Sequence, residues 1–215
     1  MEPGKASYIE VETTIPVIEG YPSRIETSRL LIRPLISSDL DNLWSLRRAA
    51  AVMNPTGRGR PDSDIEETKE ELSALRGPWY NSHLYYGIFL RNRDGVEGDL
   101  IGDGGVRQLF DTESGWPEFG YKFKEEYWGN GYATEFAKAF LEVWWGLARQ
   151  PSKLSIHPAL LDHYHSLNAR EQLYGWSRVT NKGSEGVLLK LGFRYLCELD
   201  NMVPEWRIAY QIQNE

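Results

Sequence analysis

The residues best suited to chemistry on an anion lie in the segment Tyr127-Trp128-Gly129-Asn130-Gly131-Tyr132-Ala133-Thr134. Two glycines one residue apart let the backbone turn tightly and keep side chains away from an approaching ligand. Phe136, Phe140, Trp144 and Leu147 follow at helical spacing, so the turn opens an amphipathic helix. The first N–H groups of a helix have no internal partner. With the helix dipole they favour a phosphate or pyrophosphate at this point. The segment is neither of the common nucleotide motifs: the P-loop lysine and the three-glycine spacing of dinucleotide sites are both missing.

A second segment, Asn181-Lys182-Gly183-Ser184, precedes the run Val187-Leu188-Leu189-Lys190-Leu191-Gly192-Phe193. Asn181 suits an N-cap, and its amide can equally reach across to a ligand; the sequence leaves both readings open. For proton transfer the first candidate is Glu118, in the strand-like stretch Trp116 to Phe123. It can also be a plain exposed strand carboxylate. Asp103, in GDGGVR, is the second candidate and reads more naturally as a turn or cap residue. His157, His163 and His165 with Asp162 have the composition of a metal set, but a His-x-His pair in a polar insertion reads as surface decoration. No metal is expected. Gly57-Arg58-Gly59-Arg60 reads as a solvated loop or as a contact for an acceptor or a phosphate. Trp79, Tyr80, Tyr85 and Tyr86 either wall a pocket or fill the core.

The elements that must position these residues follow from periodicity. Residues 1 to about 25 read as an extended arm, with no basic segment leading into an apolar run, so not as a secretory signal. Arg29 to Pro34 is strand-like. A helix follows with Ser38 and Asp41 resembling a capping box, then a loop from Ala49 to Asp62, then a helix announced by Ser63 and Glu66. Leu84 to Leu90, Leu100 to Leu109 and Trp116 to Phe123 are strands ahead of the glycine turn and its helix. Residues 150 to 170 interrupt the pattern as an insertion. Glu171 to Val179 is a strand, Asn181 to Leu191 a helix closed by Gly192, and Phe193 to Leu199 and Glu205 to Ile212 are the last strands. The order predicts a mixed α/β domain over about 26–215 whose sheet carries helices on both faces.

Composition bounds the function. The 215 residues are 41% hydrophobic and 26% charged, enough for a core that needs neither disulfide nor metal. The single Cys197 excludes internal disulfides and Cys-based zinc sites and fits a reducing compartment. A net charge of −7 lacks the basic footprint of a nucleic-acid binder. The richest apolar stretch, Phe136 to Ala148, is short and carries Lys138 and Glu142, so it is no membrane span. The expected location is the cytoplasm. Eight tryptophans leave room for an apolar interface in a homodimer.

The strand WPEFGYKF, the turn YWGNGYAT with its helix, and the closing NKGS…LLKLGF together resemble a GNAT acetyltransferase, of the ribosomal-protein-alanine N-acetyltransferase type. The resemblance spans roughly residues 27 to 200 and takes in the opening strand RLLIRPL and the helix DLDNLWSLR. It implies a mostly antiparallel sheet of six or seven strands with a V-shaped cleft, and acetyl-CoA as cofactor. Carried over by position, the N–H groups of Gly129, Asn130, Gly131, Tyr132, Ala133 and Thr134 hold the pyrophosphate. The strand edge from Tyr121 to Phe123 pairs with the pantetheine amides, Asn181 bonds the pantetheine arm, and Ser184 sits near the thioester. The resemblance further implies acetyl transfer to a primary amine, on a peptide N-terminus or a small molecule, within a ternary complex. A CoA-binding protein without turnover is the alternative. Trp128 stands where the family's Gln or Arg usually opens the turn. The tyrosine often found later in the last helix is absent, with Leu188 and Leu189 in that region. That leaves Ser184 or water to protonate the leaving thiolate.

Overall fold

The computed structural model describes residues 8–18, 24–76, 83–110, 112–161, 168–199 and 203–209. Trp79, Tyr80, Asp162, His163 and His165 lie outside them. Strands β2 (Ile25–Glu26), β3 (Leu30–Arg33), β4 (Leu84–Arg91), β5 (Glu97–Val106) and β6 (Phe119–Phe123) form an antiparallel sheet in that order. Strand β3 shows no apolar–polar alternation because both faces of the sheet are covered. Leu30 and Ile32 look to one side with Tyr86 and Ile88. There they meet Phe136, Phe140 and Trp144 of α4 (Tyr132–Gly146) and Leu188 of α5 (Lys182–Lys190). Leu31 and Phe89 look to the other side. There they pack on Leu43 and Leu46 of α1 (Leu40–Arg47), Val52 and Met53 of α2 (Ala50–Met53) and Leu72 of α3 (Ile65–Ala74).

Two helix starts differ from the sequence reading. Asp39, not Ser38, secures the entry to α1: its Oδ2 accepts from the Ile36 amide at 2.7 Å while the carboxylate grips Arg33. Asp64, not Ser63, caps α3, accepting from the Glu67 amide at 3.0 Å. Helix α2 occupies part of the stretch expected to be loop. Its apolar side, Val52 and Met53, is buried, and so the neighbouring prolines and glycines did not suppress it.

The second sheet is ordered β8 (Gln172–Trp176), β10 (Val203–Ala209), β9 (Arg194–Leu199) and is antiparallel throughout. It meets the first sheet between β6 and β8, which run parallel. Their pairing is an isolated bridge between Glu118 and Tyr174. Beyond it the strands part, opening a V at the centre of the molecule. Among the described residues these two sheets contain five and three strands.

The arm and the insertion belong to one structure. Strand β1 (Ile9–Pro16) pairs antiparallel with β7 (Arg149–Ile156), from Ile9 opposite Ile156 to Pro16 opposite Arg149. Val11, Ile15, Leu154 and Ile156 turn inward onto Trp116, Leu160 and Tyr174. Glu171, buried just ahead of β8, accepts from Thr14 at 2.8 Å and from Arg149 at 2.9 Å, tying this ribbon to the core.

Candidate cofactor cleft and acceptor face

The glycine turn has the backbone its sequence requires. Gly129 and Gly131 have φ of 74° and 81°, the left-handed region that β-carbons disfavour, and Gly131 is the residue that caps α4. A Cβ on Gly129 would meet nothing within 4 Å, so the approach to the turn is open. The first intrahelical bond runs from the Glu135 amide to the Gly131 carbonyl at 3.0 Å. The amides of Tyr132, Ala133 and Thr134 precede it and have no helical carbonyl to reach.

Arg29, at the head of β3, holds the turn in place. Its guanidinium donates to the Asn130 carbonyl at 3.0 Å, pairs with Glu135 at 2.6 Å and lies 4.4 Å from the Tyr132 ring centroid. Burial works against ionisation of Glu135, but Thr27 and Arg29 outweigh it and hold the carboxyl below the usual range. The sequence reading missed this brace, because Arg29 and the turn are a hundred residues apart in sequence and only the fold joins them.

The edge of β6 that faces the V is fixed by alternation. The Tyr174 amide donates to the Pro117 carbonyl on the β8 side, and the Lys124 amide donates to Ile101 on the β5 side. Odd-numbered peptide groups therefore face the cleft and even-numbered ones face β5. Tyr121 presents both its N–H and its C=O to the opening. Phe123 does not: its carbonyl accepts from the Trp128 indole at 2.8 Å, leaving only its N–H. That bond also folds Trp128 back along the strand end while its side chain stays about half exposed. On the far wall, Asn181 caps α5, its Oδ1 accepting from the Ser184 amide at 3.1 Å. The amide's NH2 group is left as the donor for a ligand.

Glu118 lies on the opposite side of β6 from Tyr121 and Ser184, facing α1–α3. Its Oε1 accepts from the Trp176 indole at 2.7 Å, and Trp176 in turn packs beneath Gly57. Burial first, then the charge of Glu113, push the Glu118 carboxyl above the usual carboxylate range; Trp176 and Arg107 pull it back. Next along the same face is Gly120, exposed, with nothing within 4 Å of a Cβ. Beyond Gly120 stands Lys122, bonded to Asp103 at 2.5 Å and to the Tyr85 hydroxyl at 3.2 Å. Glu118, Gly120 and Lys122 therefore share one side of the strand, open at Gly120 and closed at its far end by a buried ion pair.

Asp103 is neither a turn nor a cap residue. It lies fully buried in β5, accepting from Lys122 and from Tyr85 at 2.7 Å. Burial lowers the Lys122 ammonium even against the pull of Asp103. Removing one partner of such a pair strands the other charge. Lys122→Met is expected to cost about 3–5 kcal/mol in a denaturant titration, and adding Asp103→Asn to recover part of that loss. Tyr85 joins this cluster, whereas Tyr86 points into the core. The arginines of the 57–60 loop are engaged within the protein: Arg58 with Asp62 and Glu67, Arg60 with Glu67. His157 is likewise occupied, accepting from the Ala159 amide and meeting Tyr8 edge-on. Among the described residues no His, Cys, Asp and Glu cluster could hold a metal, and no helix is long and apolar enough to cross a membrane.

The profile of the GNAT acetyltransferase domain matches residues 29–194, and the chain belongs to that family. It is an acyltransferase of acetyl groups with acetyl-CoA as cofactor. No curated protein matches the sequence. Solved structures share the fold at low identity. An acetyltransferase from Agrobacterium tumefaciens is 20% identical, with a TM-score of 0.60 over 90% of this chain and 98% of its own. A protein described as a candidate ribosomal-protein-serine acetyltransferase from Vibrio cholerae is 17% identical, with a TM-score of 0.60 over 89% of this chain and 100% of its own. A spermidine N-acetyltransferase from Vibrio cholerae, in complex with CoA and spermine, is 16% identical, with a TM-score of 0.58 over 85% of this chain and 96% of its own.

The residues present fit the cofactor. At Gly129 no side chain stands over the turn, Arg29 braces its other side at Gly131, and the Tyr121 N–H and C=O face the cleft.

Proposed function

We propose that this protein transfers an acetyl group from acetyl-CoA to a primary amine, on a peptide N-terminus or a small molecule, by direct attack in a ternary complex. When bound, the cofactor supplies an acetyl group activated as a thioester. The N–H groups from Gly129 to Thr134 hold its pyrophosphate, with Trp128 bordering them. Tyr121 and the Phe123 N–H pair with the pantetheine amides, and the Asn181 NH2 group bonds the same arm. Ser184 stands by the thioester end. The carrying observation is the placement of Glu118: a raised carboxyl on the α1–α3 side of β6, across the strand from Tyr121 and Ser184. A base there can take the amine's proton while the thiol departs on the far side.

Positioning of the two reactants is the main source of rate in such a reaction and can lower the barrier by several kcal/mol. The acceptor enters over Gly120, between Glu118 and Lys122. That the fold is shared with a spermidine N-acetyltransferase in complex with spermine supports a small amine. Gly120→Val is expected to leave the melting temperature unchanged or higher, since the new side chain meets open space and suits a strand. It narrows the acceptor entry, so the KM for the amine should rise roughly tenfold while acetyl-CoA affinity stays constant.

The reading is tested by incubating the protein and acetyl-CoA with spermidine, spermine, amino acids and short peptides. Free CoA and the acetylated product are followed by mass spectrometry. Amine-dependent CoA release with a matching acetylated amine supports the reading. Acetyl-CoA binding with no acetylated product from any amine overturns it in favour of a CoA-binding protein without turnover.

A further inference from the structure

Glu118 is gripped by a side chain that comes from the other sheet. Trp176 stands two residues past the bridge between Glu118 and Tyr174, where β6 and β8 part, and its backbone pairs with Glu205 of β10. Its indole reaches back to β6 and donates to Glu118 Oε1 at 2.7 Å. Among the described residues no other hydrogen bond is made to this carboxylate, so Oε2 is left to take a proton. The benzo half of the ring lies against the α2–α3 loop. A Cβ on Gly57 would sit 3.3 Å from Cζ2 and 3.8 Å from Cη2. Gly57 has no left-handed φ, so its backbone does not call for glycine; the missing side chain lets the loop settle on the ring. Burial, the largest influence, and Glu113 ahead of β6 disfavour the charged Glu118, while Trp176 and Arg107 just past β5 favour it. Arg107 is shared with Glu71 of α3, and the loop's Arg58 and Arg60 are taken by Asp62 and Glu67.

We propose that Trp176 is the positioning residue of the general base, holding Glu118 by Oε1 so that Oε2 is presented to the acceptor amine, with the α2–α3 loop keeping the ring in place at Gly57. This rests on the acetyl-transfer reading and adds to it a residue that acts on the reaction only through Glu118. The chemistry of the donor suits the role. An indole N–H is neutral and can only donate, so it fixes one carboxylate oxygen without supplying a counter-charge. A lysine or arginine in its place would depress the carboxyl much further and leave a weaker base. In the step, the amine's proton passes to Oε2 as the C–N bond forms. The C–S bond breaks and the sulfur keeps its electron pair.

Trp176→Phe removes the donor and keeps an aromatic ring. Trp176 is only partly buried and phenylalanine suits a strand, so the variant should fold. The first readout needs neither cofactor nor acceptor. The Glu118 carboxyl is titrated by carbon-13 NMR, its signal assigned by its loss in Glu118→Gln. The hydrogen bond favours the charged form, so the midpoint in Trp176→Phe should lie about one unit above the parent's, a tenfold loss of the ionised form. Gly57→Val, which crowds the ring and leaves both partners in place, should raise the midpoint in the same direction. The second readout is turnover. In Trp176→Phe the acid limb of the kcat profile should move up with the midpoint, while KM for the amine stays within about twofold. In a Glu118→Gln background the same substitution should change the residual rate by less than about twofold, because no base is left to position. Equal midpoints in the parent and both variants, or equal losses of rate in both backgrounds, overturn the proposal alone. Absence of amine-dependent CoA release from the parent overturns the acetyl-transfer reading and the proposal with it.

Discussion

Glu118→Gln is expected to lower kcat by about 10²–10⁴-fold, the usual contribution of a positioned general base, with acetyl-CoA affinity unchanged. The substitution is nearly isosteric, and the amide oxygen can still accept from the Trp176 indole, so the acceptor face keeps its shape. The variant should fold at least as well as the parent. Burial raises the Glu118 pKa on folding, so the stabilising form is the protonated one, and that stability is lost as pH climbs through the raised value. At neutral pH the neutral glutamine avoids that loss. The pH profile gives a second signature. The base must be ionised to work, so the parent's rate should fall on acidification through a midpoint above the ordinary glutamate value of about 4.3. That limb should be absent from whatever activity remains in Glu118→Gln. An unchanged kcat would remove Glu118 as the base.

Gly129→Asp is expected to abolish tight acetyl-CoA binding without unfolding the protein. Asp tolerates the left-handed φ of 74° better than most residues, and open space awaits its side chain. A carboxylate beside a helix N-terminus is itself favourable by about 0.3–1 kcal/mol, which roughly offsets the backbone cost. The same carboxylate would face the pyrophosphate. Like charges about 5 Å apart at an effective dielectric of about 20 repel by about 3 kcal/mol, more than a hundredfold in Kd. Gly129→Asn has the same backbone tolerance and no charge, so it should retain most of the affinity. Calorimetric titration of the three proteins with acetyl-CoA checks this. Equal weakening by Asp and Asn would point to loop strain, and no weakening by Asp would mean that the pyrophosphate does not lie on this turn.

The parts of the site that were legible in the sequence are those whose chemistry is local. The glycine turn and its helix, the cap at Asn181 and the strand carrying Glu118 each lie within a dozen residues, where spacing alone fixes which group is free. Strand alternation sets Glu118, Gly120 and Lys122 on one face and Phe119, Tyr121 and Phe123 on the other. What it cannot supply is the neighbour across each face. Arg29 reaches Asn130, Lys122 reaches Asp103, Trp176 reaches Glu118 and Tyr121 reaches Ser184 only because strands remote in sequence are laid side by side. Asp103 read as a turn residue because glycines flank it, yet those glycines lie within a central strand. The ribbon of β1 and β7 was hidden for a similar reason. Pro151 and the charged residues around it look like an interruption, but Pro151 sits in a two-stranded edge ribbon, where a missing N–H is tolerated. Phe123 and Trp128 show the opposite case, in which a position that matches the family pattern has its carbonyl taken by a side chain five residues on.

The central claim is that the cleft beside the glycine turn takes acetyl-CoA, and thermal denaturation with and without that cofactor tests it most directly, with ATP as the control for generic phosphate binding. A ligand at a hundredfold over its dissociation constant stabilises the folded state by about 2.7 kcal/mol, a clear rise in melting temperature. A rise with acetyl-CoA and none with ATP is the predicted result. No shift at millimolar acetyl-CoA would contradict the account, leaving the glycine turn as the start of a helix and nothing more.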